Sequence, residues 1–369
     1  MIFPTRWRAR NMARALRLDT RGLLRDWLLP IVMTSPSAPK VVYNIHPYAM
    51  HLPGGGEVQL LKYREYLQGH GCDVILHDIW RPRLDEAVLF HHFHLVSGGV
   101  PFMDYVRRLG MKVLVSPNLW INETNRAHVN EREIGIYYEQ ADAIICNSFA
   151  EVENLCLNSG LPREKARVVP NGVDPWFAET LDPAIFRRWS GIDGRFLLNV
   201  ANVEPRKNQL AAIRAARIVG LPLVSIGRVR DPVYFDECAR AGDGGYFRHL
   251  GALPQSDSRL RAAYGACEAF VLPSTLETPG IAALEAAAAG ARIVITSEGS
   301  AREYFGDDVF YVDPCDEDSV IFALRQALAS EATRRLQRRI VDNYSWSMVT
   351  GDLLHFYVEM QSRSFAGRP

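Results

Sequence analysis

From Lys40 onward the chain alternates short, β-branched apolar runs with longer stretches patterned as helices. The runs VVYNI (41–45), VILHDI (74–79), AVLFHHF (87–93), KVLVS (112–116), AIICNS (143–148) and RVVPN (167–171) read as strands, most with helices between them. That alternation predicts a parallel, doubly wound sheet. A Pro- and Trp-containing stretch, 174–193, then separates a second series: RFLLNVA (195–201), LPLVSIG (221–227), FRHLG (247–251), AFVLP (269–273), RIVIT (292–296) and FYVDP (310–314). Two similar βα domains in tandem follow, expected over 39–178 and 190–344. In open α/β sheets ligands bind beyond the carboxyl ends of the strands, so the cleft between two such domains is the expected site. The last segment, SWSMVTGDLLHFYVEM (345–360), has the pattern of an amphipathic helix, expected to pack back across the first domain.

Composition narrows the class. The 369 residues are 48% hydrophobic, enough for two cores. Lys plus Arg balance Asp plus Glu, which gives no reason to expect nucleic acid as a partner. No apolar run reaches the ~18 residues of a membrane-spanning helix. The cysteines Cys72, Cys146, Cys156, Cys238, Cys267 and Cys315 are scattered without CxxC spacing, the usage of reduced thiols in a cytoplasmic enzyme. One part of the charge is uneven. Within residues 1–30, Arg6, Arg8, Arg10, Arg14, Arg17, Arg21 and Arg25 are opposed only by Asp19 and Asp26, and interleaved with Trp7, Leu16, Leu23, Leu24, Trp27 and Leu28. Residues 1–38 therefore read either as a basic amphipathic leader that meets an anionic membrane surface, on the inner face of the plasma membrane, or as an unstructured leader.

The most informative stretch is LETPGIAALEAAAAG, Leu276 to Gly290. Pro279-Gly280 is a natural helix start, which sets Glu277 just before the helix and Glu285 about a turn and a half into it. Between them lie the amides of Gly280, Ile281 and Ala282, and free amides at a helix start attract phosphate. Carboxylates on either side accept hydrogen bonds from hydroxyls. The combination suits a molecule anionic in its middle and polyhydroxylated at both ends, which is the form of a nucleotide sugar. Two further segments point to the same cleft. After the first strand, Gly54, Gly55 and Gly56 let backbone approach a ligand closely, yet they do not form the GxGxxG fingerprint of a nicotinamide dehydrogenase. After the seventh strand, EPRKNQ carries Arg206 and Lys207, expected in the first turn of the following helix, where they would neutralise a diphosphate leaving group.

Together these segments resemble the retaining glycosyltransferases of the GT-B fold, specifically family four. The resemblance rests on GGGE (54–57), VVPNGVD (168–174), EPRKNQ (204–209), VLPSTLETPGIAALEAAAAG (271–290) and VDPCDEDSV (312–320), and spans Val41 to Tyr357. It implies two Rossmann-like doubly wound domains facing each other across a cleft. It also implies a nucleotide-sugar donor, a glycan or lipid-linked acceptor, retention of configuration, and no metal or other cofactor. By the resemblance Glu285 binds the nucleotide ribose, Glu277 the transferred sugar, Arg206 and Lys207 the diphosphate, and the amides of Gly280, Ile281 and Ala282 the distal phosphate. Gly55 and Gly56 close on the donor from the first domain.

Two departures from the family pattern bear on function. Members commonly carry Arg where this chain has Asn202, which shifts diphosphate neutralisation toward Arg206 and Lys207. Many also have a sugar-contacting histidine after the fourth strand of the first domain, where this chain reads VSPNLWIN. Either Asn118 or Trp120 takes its place, or the chain is a catalytically silent homologue acting as a partner subunit. In LFHHFHL, strand alternation puts His92 and His94 on one face, with no third metal ligand in view; a cleft-lining role for one of them fits better than metal binding. Asp316-Glu317-Asp318 superficially matches the DxD metal motif, but lies at a helix start, where acids act as caps.

Overall fold

A computed structural model describes residues 38–51, 53–95, 98–123, 125–331 and 334–365. The arginine-rich segment 1–30 lies outside the described residues.

Among the described residues twelve strands form, in the two series expected. The first sheet holds β1 (Val41–Asn44), β2 (Val74–Leu76), β3 (Leu89–Phe93), β4 (Lys112–Ser116), β5 (Ala143–Cys146) and β6 (Ala166–Val168), in the order β2-β1-β3-β4-β5-β6. The second holds β7 (Leu197–Val200), β8 (Leu223–Ile226), β9 (Phe247–His249), β10 (Ala269–Leu272), β11 (Ile293–Thr296) and β12 (Phe310–Val312), in the order β12-β11-β10-β7-β8-β9. Every pairing is parallel. Central strands such as β5, β10 and β11 are buried throughout, which is why they read as apolar runs.

The second strand ends at Leu76 rather than at Ile79, short of the full VILHDI run. It is an edge strand with only Val41, Val42 and Tyr43 to pair with, and beyond them the chain turns away, leaving Ile79 and Trp80 exposed.

The C-terminal helix Trp346–Phe365 lies against the first sheet and the helix Gly55–Gly69. Trp346, Val349, Leu353, Phe356, Tyr357 and Met360, spaced three or four apart, are buried in that core. Trp346 packs over Gly172, where a Cβ would stand 2.8 Å from its ring. Two crossing segments run side by side there, since Val173 N–H donates to Tyr344 O at 2.7 Å and Trp346 N–H to Val173 O at 3.1 Å.

Candidate active site

Each sheet reverses its strand order once, between β7 and β10 in the second and between β1 and β3 in the first. Segments leaving the carboxyl ends at these two points build the site.

On the second-domain wall, the segment after β7 forms a short 3-10 turn, Pro205–Lys207, ahead of the helix Gln209–Val219. Arg206 and Lys207 therefore stand one step before the helix rather than in its first turn. The break is Asn208, held left-handed at φ 54° while its side-chain amide donates to Pro273 O and Pro314 O. Lys207 Nζ lies 2.5 Å from Glu277 Oε1, and both groups are largely buried. Burial opposes ionisation of Glu277, but Lys207 and then Arg206 more than reverse that and hold its carboxyl below the ordinary range. Burial likewise lowers the Lys207 ammonium, against the pull of Glu277. The shared outcome is a charged pair. Arg206 remains half exposed, donating to Leu276 O at 3.3 Å and to Glu204 at 3.2 Å.

Beyond β10, Glu277 is pinned through its backbone to Glu298 O and Ser300 N–H at 3.2 and 3.0 Å. Gly280 follows at φ 88°, and a Cβ there would come within 3.0 Å of Glu277 Oε2, so glycine is needed for both conformation and space. The helix Ile281–Ala288 starts here, and Leu284 N–H is the first to close a full turn back to Gly280 O. The amides of Gly280, Ile281 and Ala282 have no such partner among the described residues, and all three residues line the cleft. Glu285 sits one turn on, 3% exposed, accepting Gln255 Nε2 at 2.5 Å and Tyr264 Oη at 2.7 Å. Burial pushes its carboxyl up to about 7 despite these two donors.

The first-domain wall is made differently. The glycine run leads into the helix Gly55–Gly69, and Glu57 reaches back to accept Gly54 N–H at 2.6 Å. His94 Nε2 lies 3.3 Å from Glu57 Oε1, and His46 Nε2 lies 3.9 Å from it. Burial works against the Glu57 carboxylate, yet His94 and the Gly54 N–H hold its value down at about 2. Asn118, left-handed at φ 47°, accepts a hydrogen bond from Asn147 Nδ2 at 3.0 Å.

The histidine run divides unlike the simple alternation expected. His91 is buried against Tyr357 Oη and Ser116 Oγ, and His92 is buried against Asn44 and the Tyr137 ring. Only His94 reaches the cleft, because the strand ends at Phe93 and φ of 71° turns the next side chain out of register. Asp316 caps the helix Glu317–Ala329 by accepting Asp318 N–H at 3.0 Å, the capping role read from its position. Among the described residues no group of three His, Cys, Asp or Glu side chains is arranged to hold a metal ion.

The walls line a cavity of about 1060 Å³, at the upper end of the range for small-molecule sites. The residues given ligand-binding roles from the sequence line it: Gly55, Gly56, Asn118, Trp120, Arg206, Lys207, Glu277, Gly280, Ile281, Ala282 and Glu285. The domains also bond directly. Tyr304 Oη donates to Asn147 O at 2.5 Å and accepts Asn171 N–H at 2.9 Å, and Glu303 accepts Phe149 N–H and Ala150 N–H at 3.0 and 3.1 Å. Sequence reasoning missed Gln255 and Tyr264, whose link to Glu285 is purely tertiary. It also missed Glu57 as the anchor of His94, although Gly-x-x-Glu ahead of a helix is a readable capping pattern.

Tandem parallel sheets with a polar cleft at both switch points define a two-domain α/β scaffold. The family described as glycosyl transferases group 1 matches residues 186–344, and that described as glycosyltransferase family 4 matches residues 81–177, together well over half of the chain. The chain belongs to the family-four glycosyltransferases of GT-B fold. It is 26% identical over 251 residues to the O-antigen chain mannosyltransferase B of Escherichia coli, covering 65% of this chain and 59% of that protein. An uncharacterised glycosyltransferase of Methanocaldococcus jannaschii is 27% identical over 248 residues, 61% of this chain and 63% of its own. The match thus spans about six-tenths of the length of these two relatives. A Campylobacter jejuni enzyme, N-acetylgalactosamine-N,N'-diacetylbacillosaminyl-diphospho-undecaprenol 4-alpha-N-acetylgalactosaminyltransferase, is 27% identical over 281 residues, 74% of this chain and 72% of that one. Among solved structures, a sucrose-phosphate synthase from Thermosynechococcus elongatus superposes with TM-score 0.74 at 17% identity, covering 88% of this chain and 99% of that one. The Anabaena protein HepE in complex with UDP-glucose gives 0.64 at 15% identity, over 89% and 100% of the two chains. These two likenesses show the fold.

Proposed function

We propose that the chain transfers a sugar from a nucleotide-sugar donor to a glycan or lipid-linked acceptor, with retention of anomeric configuration and without a metal. The observation that carries this is the arrangement at the second switch point, with Glu277 and Glu285 on either side of the free amides of Gly280, Ile281 and Ala282. In this reading Glu285 accepts the ribose hydroxyls, and the amides take the distal phosphate. Lys207 and Arg206 balance the charge that grows on the diphosphate as the bond from sugar C1 to its phosphate oxygen breaks. Glu277, ionised and held by Lys207, accepts sugar hydroxyls. On the attacking side the acceptor oxygen forms its bond to C1, and its proton passes to an oxygen of the departing diphosphate, so no side-chain base or protein nucleophile is needed. Asn118 donates a hydrogen bond to the sugar.

The names of two relatives support the acceptor class, one an O-antigen chain mannosyltransferase and the other acting on a diphospho-undecaprenol glycan. The HepE complex with UDP-glucose supports the donor class. A leader that binds an anionic leaflet through the arginines of residues 1–30 would bring such acceptors to the cleft. Deleting residues 1–36 should then reduce binding to anionic vesicles, most clearly at low salt.

The reading is tested with a panel of UDP-, GDP- and ADP-sugars and oligosaccharide acceptors. NMR of the anomeric proton in the first-formed product is paired with mass spectrometry of the enzyme held with donor alone. A retained anomer and an unmodified chain are expected. An inverted product, or a trapped glycosyl-enzyme adduct, contradicts the mechanism.

A further inference from the structure

We propose that His94 is a substrate-contacting residue of the first domain, its imidazole set beside Gly56 to hold a hydroxyl of the transferred sugar, with Glu57 as the positioning residue that fixes the ring. This deepens the donor reading above and rests on it.

The placement comes first. In the first sheet, β1 and β3 adjoin at the point where the strand order reverses, and the glycine run follows one while His94 follows the other. His94 is thus the first-domain counterpart of the loops that carry Lys207 and Glu277 at the second switch point. The backbone comes next. Three non-glycine residues among those described adopt positive φ, His94, Asn118 and Asn208, and all three lie at or beside this cleft. A left-handed histidine is uncommon, and such outliers gather at functional sites, where the surrounding structure enforces them. Here the enforcing contact is His94 N–H to Ser116 O at 2.9 Å, which holds the turned-out residue to the end of β4.

Space and charge complete the case. A Cβ on residue 56 would stand 2.4 Å from His94 Nε2 and 2.5 Å from its Cε1, so the missing side chain of Gly56 is what admits the ring. The same Cβ would meet Asn118 Nδ2 at 3.2 Å, which puts both polar side chains at one spot on the cavity wall. Glu57, 3.3 Å from Nε2 and anchored on Gly54 N–H, restrains the imidazole. That carboxylate is held ionised, its value lowered to about 2. An anion beside the ring repels phosphate and favours a neutral hydroxyl. His94 therefore addresses the sugar and leaves the diphosphate to the opposite wall. An imidazole ring nitrogen can hydrogen-bond a hydroxyl, a group that both donates and accepts.

The test is calorimetric titration of the full chain with UDP-glucose, UDP-N-acetylglucosamine, GDP-mannose and ADP-glucose, each beside its sugar-free diphosphate. For the donor bound most tightly by the unmodified chain, His94→Ala should weaken the nucleotide sugar about tenfold while changing the diphosphate less than twofold, the loss expected for one contact. His94→Gly, which accepts the same backbone conformation, should show the same split and serves if the alanine variant does not fold. Glu57→Gln should weaken the nucleotide sugar by a smaller factor, again sparing the diphosphate. Equal losses for both ligands, or no loss for the nucleotide sugar, overturn the proposal. If Glu285→Ala weakens both ligands while the His94 variants weaken neither, only this inference falls. If no nucleotide sugar binds the unmodified chain, or Glu285→Ala changes nothing, the donor reading falls with it.

Discussion

The two walls of the cleft are built by different means. The second-domain wall is charged: a buried Lys207–Glu277 pair at 2.5 Å, a buried Glu285 with its value raised to about 7, and a helix start with free amides. The first-domain wall is shaped by backbone, with a glycine run, two left-handed side-chain-bearing residues, and one ionised glutamate beside the His94 ring. In the proposed function, charge suits the nucleotide end, on which negative charge grows, and close backbone approach suits the hydroxyls of the sugar. The contrast teaches that losses on the second wall should appear as stability and affinity, and losses on the first as sugar-dependent effects.

The largest effect is expected at the buried pair. Lys207→Ala leaves Glu277 buried without its counter-charge, and breaking such a pair costs about 3–5 kcal/mol. Urea unfolding should show a loss of that order, and a change below about 1 kcal/mol would show that solvent already screens the pair. Glu285 comes next. Its folded value of about 7 lies above the unfolded one, so its contribution to stability is fully present below about 4.3 and is lost as pH rises through 7. Over that window it removes up to about 3.7 kcal/mol, and Glu285→Gln should flatten the pH dependence by a comparable amount. Matching slopes in the two proteins would place the carboxyl's value near normal.

The same titration predicts a smaller effect on binding. If the ionised form accepts the ribose hydroxyls, affinity for a nucleotide sugar should rise about tenfold between pH 6 and pH 8, and the rise should vanish in Glu285→Gln. An affinity that falls over this range would mean the protonated carboxyl is the binding form. Smallest is the first wall: Asn118→Ala removes one neutral hydrogen bond, worth about 1 kcal/mol, and should slow transfer roughly fivefold with diphosphate affinity unchanged. A matching loss for the diphosphate would erase the distinction between the walls.

The same contrast decides what the sequence revealed. The second wall was legible because its parts are contiguous: Glu277, Gly280 and Glu285 fall within nine residues, at a spacing that only a helix start makes meaningful. The twelve strands were legible for a similar reason, since buried parallel strands are unbroken apolar runs. The first wall was legible only in part: its glycine run and Asn118 stood out in the sequence, but its residues come from three separate strand ends and meet only through unusual backbone angles. Alternation along LFHHFHL places His92 with His94, whereas the chain leaves the sheet at Phe93, and no pattern of residue types announces a left-handed histidine. Nor does local pattern show that Gln255 and Tyr264 hold Glu285, or that Lys207 closes on Glu277.

The central claim is that the second-domain wall grips the nucleotide of a sugar donor. Calorimetric titration of the unmodified chain and of Glu285→Ala with UDP-glucose, GDP-mannose and ADP-glucose tests it most directly. The account predicts saturable binding of at least one of these donors at one site per chain, weakened tenfold or more by the substitution, the loss of about 1.5–3 kcal/mol expected when hydrogen bonds to a charged group disappear. Equal affinity in the two proteins, or binding of none of the three, would contradict it.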